Sequence, residues 1–113
     1  MGKEANTVLI SRRRFEMAGT SFNARGVDED GNTANFVETE MIVEYPALQL
    51  FYSHVQVRGS VPIFWSQKTK KQKVVISNVS EMTVERSFDA HMQDLMKSYK
   101  LVVFLNLLSK EKS

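Results

Sequence analysis

The sequence contains no cysteine, which excludes disulfides, cysteine-ligated zinc and every thiolate mechanism within these 113 residues. No apolar run approaches the roughly 20 residues that span a bilayer. The N-terminal residues 1–8 lack the apolar segment of a signal peptide. No phosphate-binding loop of the form G-x-x-x-x-G-K-[ST] occurs either. These absences lead us to expect a cytosolic protein without a nucleotide-binding loop of that type.

The composition is that of one folded domain with an uneven distribution of charge. Hydrophobic residues make up 42% of the chain and charged residues 25%, as in ordinary folded proteins. Residues 1–57 carry five lysines and arginines against eight carboxylates, whereas residues 58–113 carry ten against five. The net charge is therefore −3 in the first half and +5 in the second. A basic half attracts partners that carry phosphate, although a solvated lysine-rich surface produces the same balance.

Alternating hydrophobicity predicts several β-strands in the first two-thirds of the chain. Between two of them, DEDGN at 28–32 has strong turn chemistry, because Asp and Asn bond to the local backbone and glycine accepts positive φ. We therefore expect a long antiparallel hairpin in the N-terminal half. The predicted strands are 7–14, 21–27, 34–45, 48–58 and 73–79.

The hydrophobic period changes near Thr83, where apolar residues begin to recur at helical spacing and predict a helix over about 84–99. After it, LVVFLNLL at 101–108 is a continuous apolar run, typical of a strand covered on both faces. Strands followed by a helix and a buried strand predict an α/β or α+β domain with a mixed sheet and at least this one helix. The expected apolar stripe of the helix is Phe88, Met92, Leu95, Met96 and Tyr99.

Acidic and imidazole side chains supply the usual groups for acid–base or metal chemistry. Glu38, Glu40 and Glu44 share one face of a predicted strand, which fits a pair of catalytic or metal-binding carboxylates. Polar alternation on a solvated sheet face produces the same pattern and is the preferred interpretation. His54 and His91 form no recognisable ligand set, so structural roles are expected for both. The sequence predicts neither a metal site nor a cofactor.

The stretch RGSVPIFWSQKTKKQK, residues 58–73, combines an arginine, the only tryptophan and four lysines. Guanidinium groups bind phosphate through two hydrogen bonds, and ammonium groups act as point charges. Trp65 is expected to pack in the fold, although an indole beside lysines also suits a membrane interface or a nucleic-acid base. With the arginines of the first half, this stretch predicts an anion-binding surface. Its members are Arg12, Arg13, Arg14, Arg25, Arg58, Lys68, Lys70, Lys71 and Lys73.

Three blocks of the sequence resemble the Sac-type phosphoinositide phosphatase domain. LISRRRFEMAGTSFNARGVDEDGNTANFVETE is similar to the family's ISRRS-x-x-RAGTR-x-x-RRG-x-D-x-x-G-x-VANFVETE. HVQVRGSVPIFWSQ is similar to S-x-VQ-x-RGS-x-P-x-FW-x-Q, and SFDAHMQDLMKSYKLVVFLNLLS to F-x-x-H-x-x-x-L-x-x-x-Y-x-x-x-x-x-x-NLL. The blocks occur in the family's order over about residues 8–109. The chain, residues 1–113, is therefore identified as a single partial Sac domain, nearest the Sac/synaptojanin-like branch.

The resemblance implies removal of a phosphate from the inositol ring of a membrane phosphoinositide, without a metal. The family uses a Cys-x5-Arg loop, whose thiolate attacks phosphorus and whose arginine and backbone N–H groups hold the phosphoryl oxygens. That loop lies beyond the third block and has no counterpart in these residues. The expectation is a fragment of a larger Sac catalytic domain that is inactive alone, so no catalytic residue is assigned. Because 101–108 lacks cover, exposed strand edges and an apolar patch are also predicted.

Arg13, Arg25 and Arg58 match basic positions of the family's motifs, whereas Glu16, Met17 and Ser21 stand where the family is usually basic. The candidate substrate-binding residues are Arg13, Arg25, Arg58, Lys68, Lys70, Lys71 and Lys73, although some of these arginines alternatively pair with glutamates of the neighbouring hairpin. A non-catalytic module that binds phosphoinositides or acidic membranes is the alternative function. The expected partners are phosphoinositide headgroups, an anionic membrane surface and the remainder of the Sac domain, without nucleic acid. The expected location is cytoplasmic, peripheral to the cytosolic face of endomembranes.

Overall fold

The computed structural model describes residues 4–17, 25–67 and 73–110. Within these ranges the chain forms six strands, a short 3₁₀ turn and one helix. The strands are β1 (Asn6–Arg13), β2 (Arg25–Gly26), β3 (Val37–Tyr45), β4 (Leu50–Arg58), β5 (Phe64–Ser66) and β6 (Val75–Ile76). The 3₁₀ turn at Pro46–Leu48 joins β3 to β4, and helix α1 spans Glu81–Ser98.

Among the described residues, the strands form two antiparallel sheets of three strands each. The larger sheet has the order β1–β3–β4, and at one end of it Arg13 pairs with Val37, which in turn pairs with Arg58. The smaller sheet has the order β2–β5–β6, with Trp65 opposite Arg25. The α+β class and the long antiparallel pairing predicted for the N-terminal half are therefore confirmed.

The strand partners around DEDGN at 28–32 differ from the expected hairpin. β2 pairs with β5, and an isolated bridge between Val27 and Thr33 closes the turn. The Asp28 carboxylate holds the turn by accepting the backbone N–H of Asn32 at 2.7 Å. The long hairpin is formed instead by β3 and β4, and the turn connects one sheet to the other.

Helix α1 begins after Ser80, whose hydroxyl accepts the backbone N–H of Thr83 at 3.3 Å. Glu81 lies in the first turn and Lys97 in the last, as the helix dipole favours. The helix predicted over 84–99 is therefore confirmed, with a start three residues earlier.

The buried face of α1 differs from the expected apolar stripe, since Phe88 is 41% exposed and Met96 is 61% exposed. The reason lies at Gly31 in the DEDGN turn. A Cβ added to this glycine would come within 2.5 Å of the His91 backbone nitrogen. Such a close approach needs small or flat side chains on the contacting helix face, so the bulkier stripe turns toward solvent. The buried helix residues are Ser87, His91 and Leu95.

The core lies where the turn at 28–32, the start of β3 and the middle of α1 meet. Its polar members are Thr33, Ser87 and His91, each at most 6% exposed. The core hydrophobics are Val27, Ala34, Phe36, Val37 and Leu95. Most core residues thus come from two short segments, 26–37 and 87–95, which positions the helix over one end of the larger sheet.

Residues 101–108 form no strand, so the buried strand predicted there is wrong for this chain. Leu101, Val103, Leu105 and Leu107 are each between 81% and 85% exposed. The physical reason is that such a run needs a neighbouring layer, and no element in the described ranges packs against it. The predicted exposed apolar patch is confirmed. Within the described ranges, no helix has the length and apolar character required to cross a bilayer.

Candidate functional site

A cleft of about 170 Å³ lies between α1 and the β1–β3 end of the larger sheet. We call the side of the sheet that contacts α1 the helix-facing side, and the opposite one the far side. Alternation along the strands places Arg12 and Arg14 on the helix-facing side and Arg13 on the far side. The cleft is lined by Arg12, Arg13, Arg14, Phe36, Glu38, Asp94, Leu95, Ser98 and Tyr99.

Arg12 is held by two carboxylates of the central strand β3. Its guanidinium donates to Glu38 at 3.3 Å and to Glu40 at 3.1 Å through both terminal nitrogens. Glu40 also accepts a hydrogen bond from the Ser53 hydroxyl at 3.0 Å, which ties β4 to the same cluster. The strand alternation read from the sequence therefore places these glutamates in a paired cluster rather than on a freely solvated face.

Arg14 joins the sheet to the helix. Its guanidinium lies 2.6 Å from the Asp94 carboxylate and 4.4 Å from the centre of the Phe36 ring. An ion pair and a cation–π contact thus act on one side chain. This double contact fixes the helix over the start of β3.

Tyr99, just after the end of α1, donates its hydroxyl hydrogen to the Glu38 carboxylate. Burial, and then the hydrogen bond and negative charge of Glu38, raise the pKa of Tyr99 to about 12. The phenol is therefore neutral throughout the physiological range. It acts here as a hydrogen-bond donor that positions Glu38, not as a proton acceptor.

The ion pairs of the helix-facing side argue against anion binding by Arg12 and Arg14. Arg12 and Arg14 contribute two positive charges on the helix-facing side, while Glu38, Glu40 and Asp94 contribute three negative ones. With the guanidinium groups of Arg12 and Arg14 already bound to carboxylates, a phosphate that approached them would have to displace these partners. The described ranges also contain no group of three His, Asp or Glu side chains arranged to hold a metal ion.

The far side carries arginines of a different kind. Arg13 of β1 and Arg58 of β4 both pair with Val37, so their side chains flank it on the same side of the sheet, with backbones about 10 Å apart. Both arginines are exposed. Neither makes an ion pair with any residue in 4–17, 25–67 or 73–110. The alternative in which arginines pair with glutamates thus describes Arg12 and not these two residues.

The remaining predicted anion-binding residues are placed only in part. Arg25 has its backbone in β2, opposite Trp65, and its side chain lies outside the described atoms. Lys73 is exposed just before β6. Lys68, Lys70 and Lys71 lie outside the described residues. The structure therefore brings together Arg13 and Arg58 and does not describe how the others lie relative to them.

His91 has the structural role expected from the sequence. It is 6% exposed, and its Nδ1 lies 3.1 Å from the Gly31 carbonyl oxygen, to which it donates because a carbonyl only accepts. Burial lowers the pKa of His91, more than the bond to Gly31 and the nearby Asp94 raise it. The other histidine, His54, is exposed on β4.

Comparison with known proteins decides the family. The profile of the SacI homology domain matches residues 1–113. The chain belongs to the SacI homology domain family. It is 43% identical to the polyphosphatidylinositol phosphatase INP53 of Saccharomyces cerevisiae over 93% of this chain and 9% of that protein. It is 42% identical to human synaptojanin-1 over 96% of this chain and 7% of that protein.

A third relative is the mouse phosphatidylinositide phosphatase SAC2, with 40% identity over 90% of this chain and 9% of that protein. The SacI homology chain thus spans less than a tenth of the length of each of these three relatives. The Sac-type resemblance read from the three motif blocks is confirmed.

The motif blocks of this SacI homology chain mainly build the fold. In NFVETE, Asn35 adopts a φ of 55°, Phe36 and Val37 enter the core, and the glutamates bind Arg12. Gly26 has a φ of 89°, and a Cβ there would lie 2.0 Å from the Ile63 carbonyl oxygen. Only glycine fits this close approach of two motif blocks.

Sequence reasoning missed the ion pair of Asp94 with Arg14 and the hydrogen bond of Tyr99 with Glu38. The usable signal was helical spacing from the histidine: His91, Asp94, Leu95 and Ser98 share one face of α1. The most apolar stripe, which was predicted to be the contact face, lies about one residue away from the observed contact face along the helix. A polar contact face is recognised only once its partner Arg14, which follows β1, is in place.

Proposed function

We propose that this chain is part of a phosphoinositide phosphatase and supplies a basic surface for the phosphorylated headgroup. Membership of the SacI homology family, with 43% identity to a polyphosphatidylinositol phosphatase over 93% of the chain, carries this proposal. Arg13 and Arg58 of the far side support it, because they have no carboxylate partner in the described part of the chain and such an arginine is available to bind phosphate through two hydrogen bonds.

The proposed surface begins with Arg13 and Arg58 and extends to the other basic motif positions. Each lysine near an anionic membrane adds about 1 kcal/mol of binding free energy, an effect that salt screens within a Debye length. Such a surface recruits the protein to the cytosolic face of endomembranes and orients the headgroup. The additional members of the surface are Arg25, Lys68, Lys70, Lys71 and Lys73.

Dephosphorylation by the family's route needs a cysteine sulfur, which these residues do not contain. With no cysteine, the 113 residues cannot form the phosphocysteine that the family resemblance implies. We therefore infer that the chain alone binds phosphoinositides without hydrolysing them. Turnover belongs to a protein that joins this segment to a Cys-x5-Arg loop.

A second candidate function is a binding module that never acts in catalysis. Among the described residues, the arginines of one side of the sheet are paired and those of the other side are not, and this separation favours the module equally, because the module requires only the surface. Reading the transcript on both sides of this frame separates the two functions. A Cys-x5-Arg sequence downstream supports the phosphatase, and a stop without one supports the module.

The binding proposal is tested by sedimenting the purified chain with vesicles that contain a phosphatidylinositol monophosphate. We expect co-sedimentation that falls with added salt, together with no inorganic phosphate above the blank. The double variant Arg13→Gln/Arg58→Gln should lose most of the binding. Arg12→Gln is the matched control, because it removes one neighbouring positive charge that is already paired.

Two outcomes would contradict these proposals separately. Phosphate release by the wild-type chain would show that its chemistry does not depend on a cysteine. Equal binding by the wild type and the double variant, or equal binding to phosphatidylcholine vesicles, would show that Arg13 and Arg58 are not the headgroup surface.

A further inference from the structure

In the strands of the β1–β3–β4 sheet, the far side carries no carboxylate. The register places Arg13 and Arg58 on this side, together with uncharged residues of all three strands. The strand residues of the helix-facing side include Arg12 and three glutamates. These glutamates are Glu38, Glu40 and Glu44. The two sides of the sheet therefore differ in the sign of their charge.

Toward the other end of the sheet, the far side exposes apolar and aromatic side chains. Leu9 is 67% exposed, Tyr52 is 58% exposed and Leu50 is 42% exposed. The rings of Tyr45 and Tyr52 meet edge to face with centroids 6.0 Å apart, as neighbours on one side of a strand pair can. Arg58 lies about 20 Å from Tyr52 along β4. The far side is therefore basic at one end and apolar at the other.

We propose that the far side of this sheet docks on an anionic bilayer, with its arginines at the lipid phosphates and its apolar end among the headgroups. This inference rests on the proposed function, because Arg13 and Arg58 also begin the headgroup surface proposed there. Tyrosine suits the apolar end, since its ring is apolar and its hydroxyl can stay in water. The hydrogen bonds of a sheet lie in its plane, so docking through a face leaves no peptide group newly unpaired. The side chains of the apolar end are Leu9, Leu50 and Tyr52.

Charge decides which side of the sheet meets the bilayer. Away from α1, the helix-facing side also exposes apolar residues, with Phe51 69% exposed and Val8 52% exposed. Anionic lipids repel the net negative charge of that side, whereas the far-side strand residues include arginines and no glutamate. A soluble inositol phosphate accounts for the arginines alone, because it has no apolar part to contact Leu9 or Tyr52. A bilayer accounts for both ends of the far side.

Polarity-sensitive fluorophores on single cysteines test this orientation, because the chain has no native cysteine. Tyr52→Cys and Leu9→Cys place the probe on the far side, and Phe51→Cys and Val8→Cys place it one residue away on the helix-facing side. Each labelled chain is mixed with phosphatidylcholine vesicles that contain a phosphatidylinositol monophosphate. We expect the emission to shift to shorter wavelength for the two far-side probes and not for the other two. Soluble inositol monophosphate, and vesicles of phosphatidylcholine alone, should cause no shift.

The outcomes separate this inference from the proposed function. Equal shifts on the two sides of the sheet, or a shift with phosphatidylcholine alone, would overturn the docking of the far side on anionic lipid. Co-sedimentation with the vesicles but no shift of the far-side probes would also overturn it, because the arginines would then bind headgroups without the apolar end, and the proposed function would stand. Absence of any co-sedimentation would overturn both.

Removal of an aromatic ring measures the apolar contribution to vesicle binding. We expect Tyr52→Ser to weaken binding about tenfold and Tyr52→Phe to keep it within about twofold, because burial of the ring supplies this part of the affinity. Phe51→Ser is the matched control and should also keep binding within about twofold. Leu9→Ser against Val8→Ser repeats the comparison on β1, and unchanged Trp65 fluorescence shows that each variant is folded. Equal losses in the two members of each pair, or no loss in Tyr52→Ser and Leu9→Ser, would overturn the inference.

Discussion

The two sides of the β1–β3–β4 sheet use adjacent arginines for opposite purposes. On the helix-facing side, Arg12 and Arg14 are bound by carboxylates of β3 and α1, and the cluster has a net negative charge. On the far side, Arg13 and Arg58 flank Val37 without ion pairs among the described residues. The comparison teaches that strand alternation divides the run of three arginines between the two sides of the sheet. Arg12 and Arg14 stabilise the fold, and Arg13 is a candidate binding residue.

The largest expected effect on stability comes from a substitution that disrupts the contact between α1 and the turn at 28–32. Gly31→Ala places a Cβ 2.5 Å from the His91 nitrogen at a position with φ of 84°. We expect a loss of about 3 kcal/mol or more in the free energy of unfolding, from strain and overpacking together. Urea unfolding followed by Trp65 fluorescence measures it. Asp30→Ala, an exposed position in the same turn, should change stability by less than about 0.5 kcal/mol, and similar losses in both variants would contradict the close contact.

A smaller effect on stability is expected to distinguish Arg14 from its neighbour Arg13. Arg14→Gln removes the pair with Asp94 and the contact with Phe36, so we expect a loss of about 1 kcal/mol in stability, since both partners of the pair are partly exposed. Arg13→Gln should leave the stability within about 0.5 kcal/mol and reduce vesicle binding. Equal losses of stability in the two variants would show that the far side is as structural as the helix-facing side.

The smallest effect is a dependence on pH at the helix contact. Because burial lowers the pKa of His91, the unfolded chain binds a proton more readily than the folded one. Stability should therefore be complete above the unfolded pKa of about 6.5 and fall as the pH drops below it. Urea midpoints at pH 7.5 and 5.5 measure the difference, which His91→Gln should reduce. The charges of Asp94 and Arg14 act on the ring, and an undiminished pH dependence in His91→Gln would show that a group other than His91 causes it.

Local patterns were enough to predict most of the elements. Strand alternation located β1, β3 and β4, and the change of period located α1 to within three residues of its start. The DEDGN chemistry located the turn at 28–31 but not the partners of its flanking segments. Pairing depends on which strands meet in space, and residues 25–26 find β5 about forty positions away rather than the strand that follows them.

Only part of the candidate site could be predicted from the sequence. Arg13 and Arg58 were identified by the family motifs, yet their common side of the sheet follows from the register of two strand pairs through Val37. The prediction of a buried strand at 101–108 was wrong because an apolar run becomes buried only where other parts of the structure pack against it. Similarly, the docking face of α1 was decided by the small space at Gly31 rather than by helix hydrophobicity.

The hydrogen bond between His91 and Gly31 joins residues sixty positions apart, and this separation has a consequence for the protein during its synthesis. At about 5–20 residues per second, the turn leaves the ribosome roughly 3–12 seconds before the helix that covers it. During that interval the nascent sheet carries its carboxylate cluster and five of the eight core side chains without the helix that buries them. In this period a chaperone that binds apolar strands has the largest exposed apolar surface to bind.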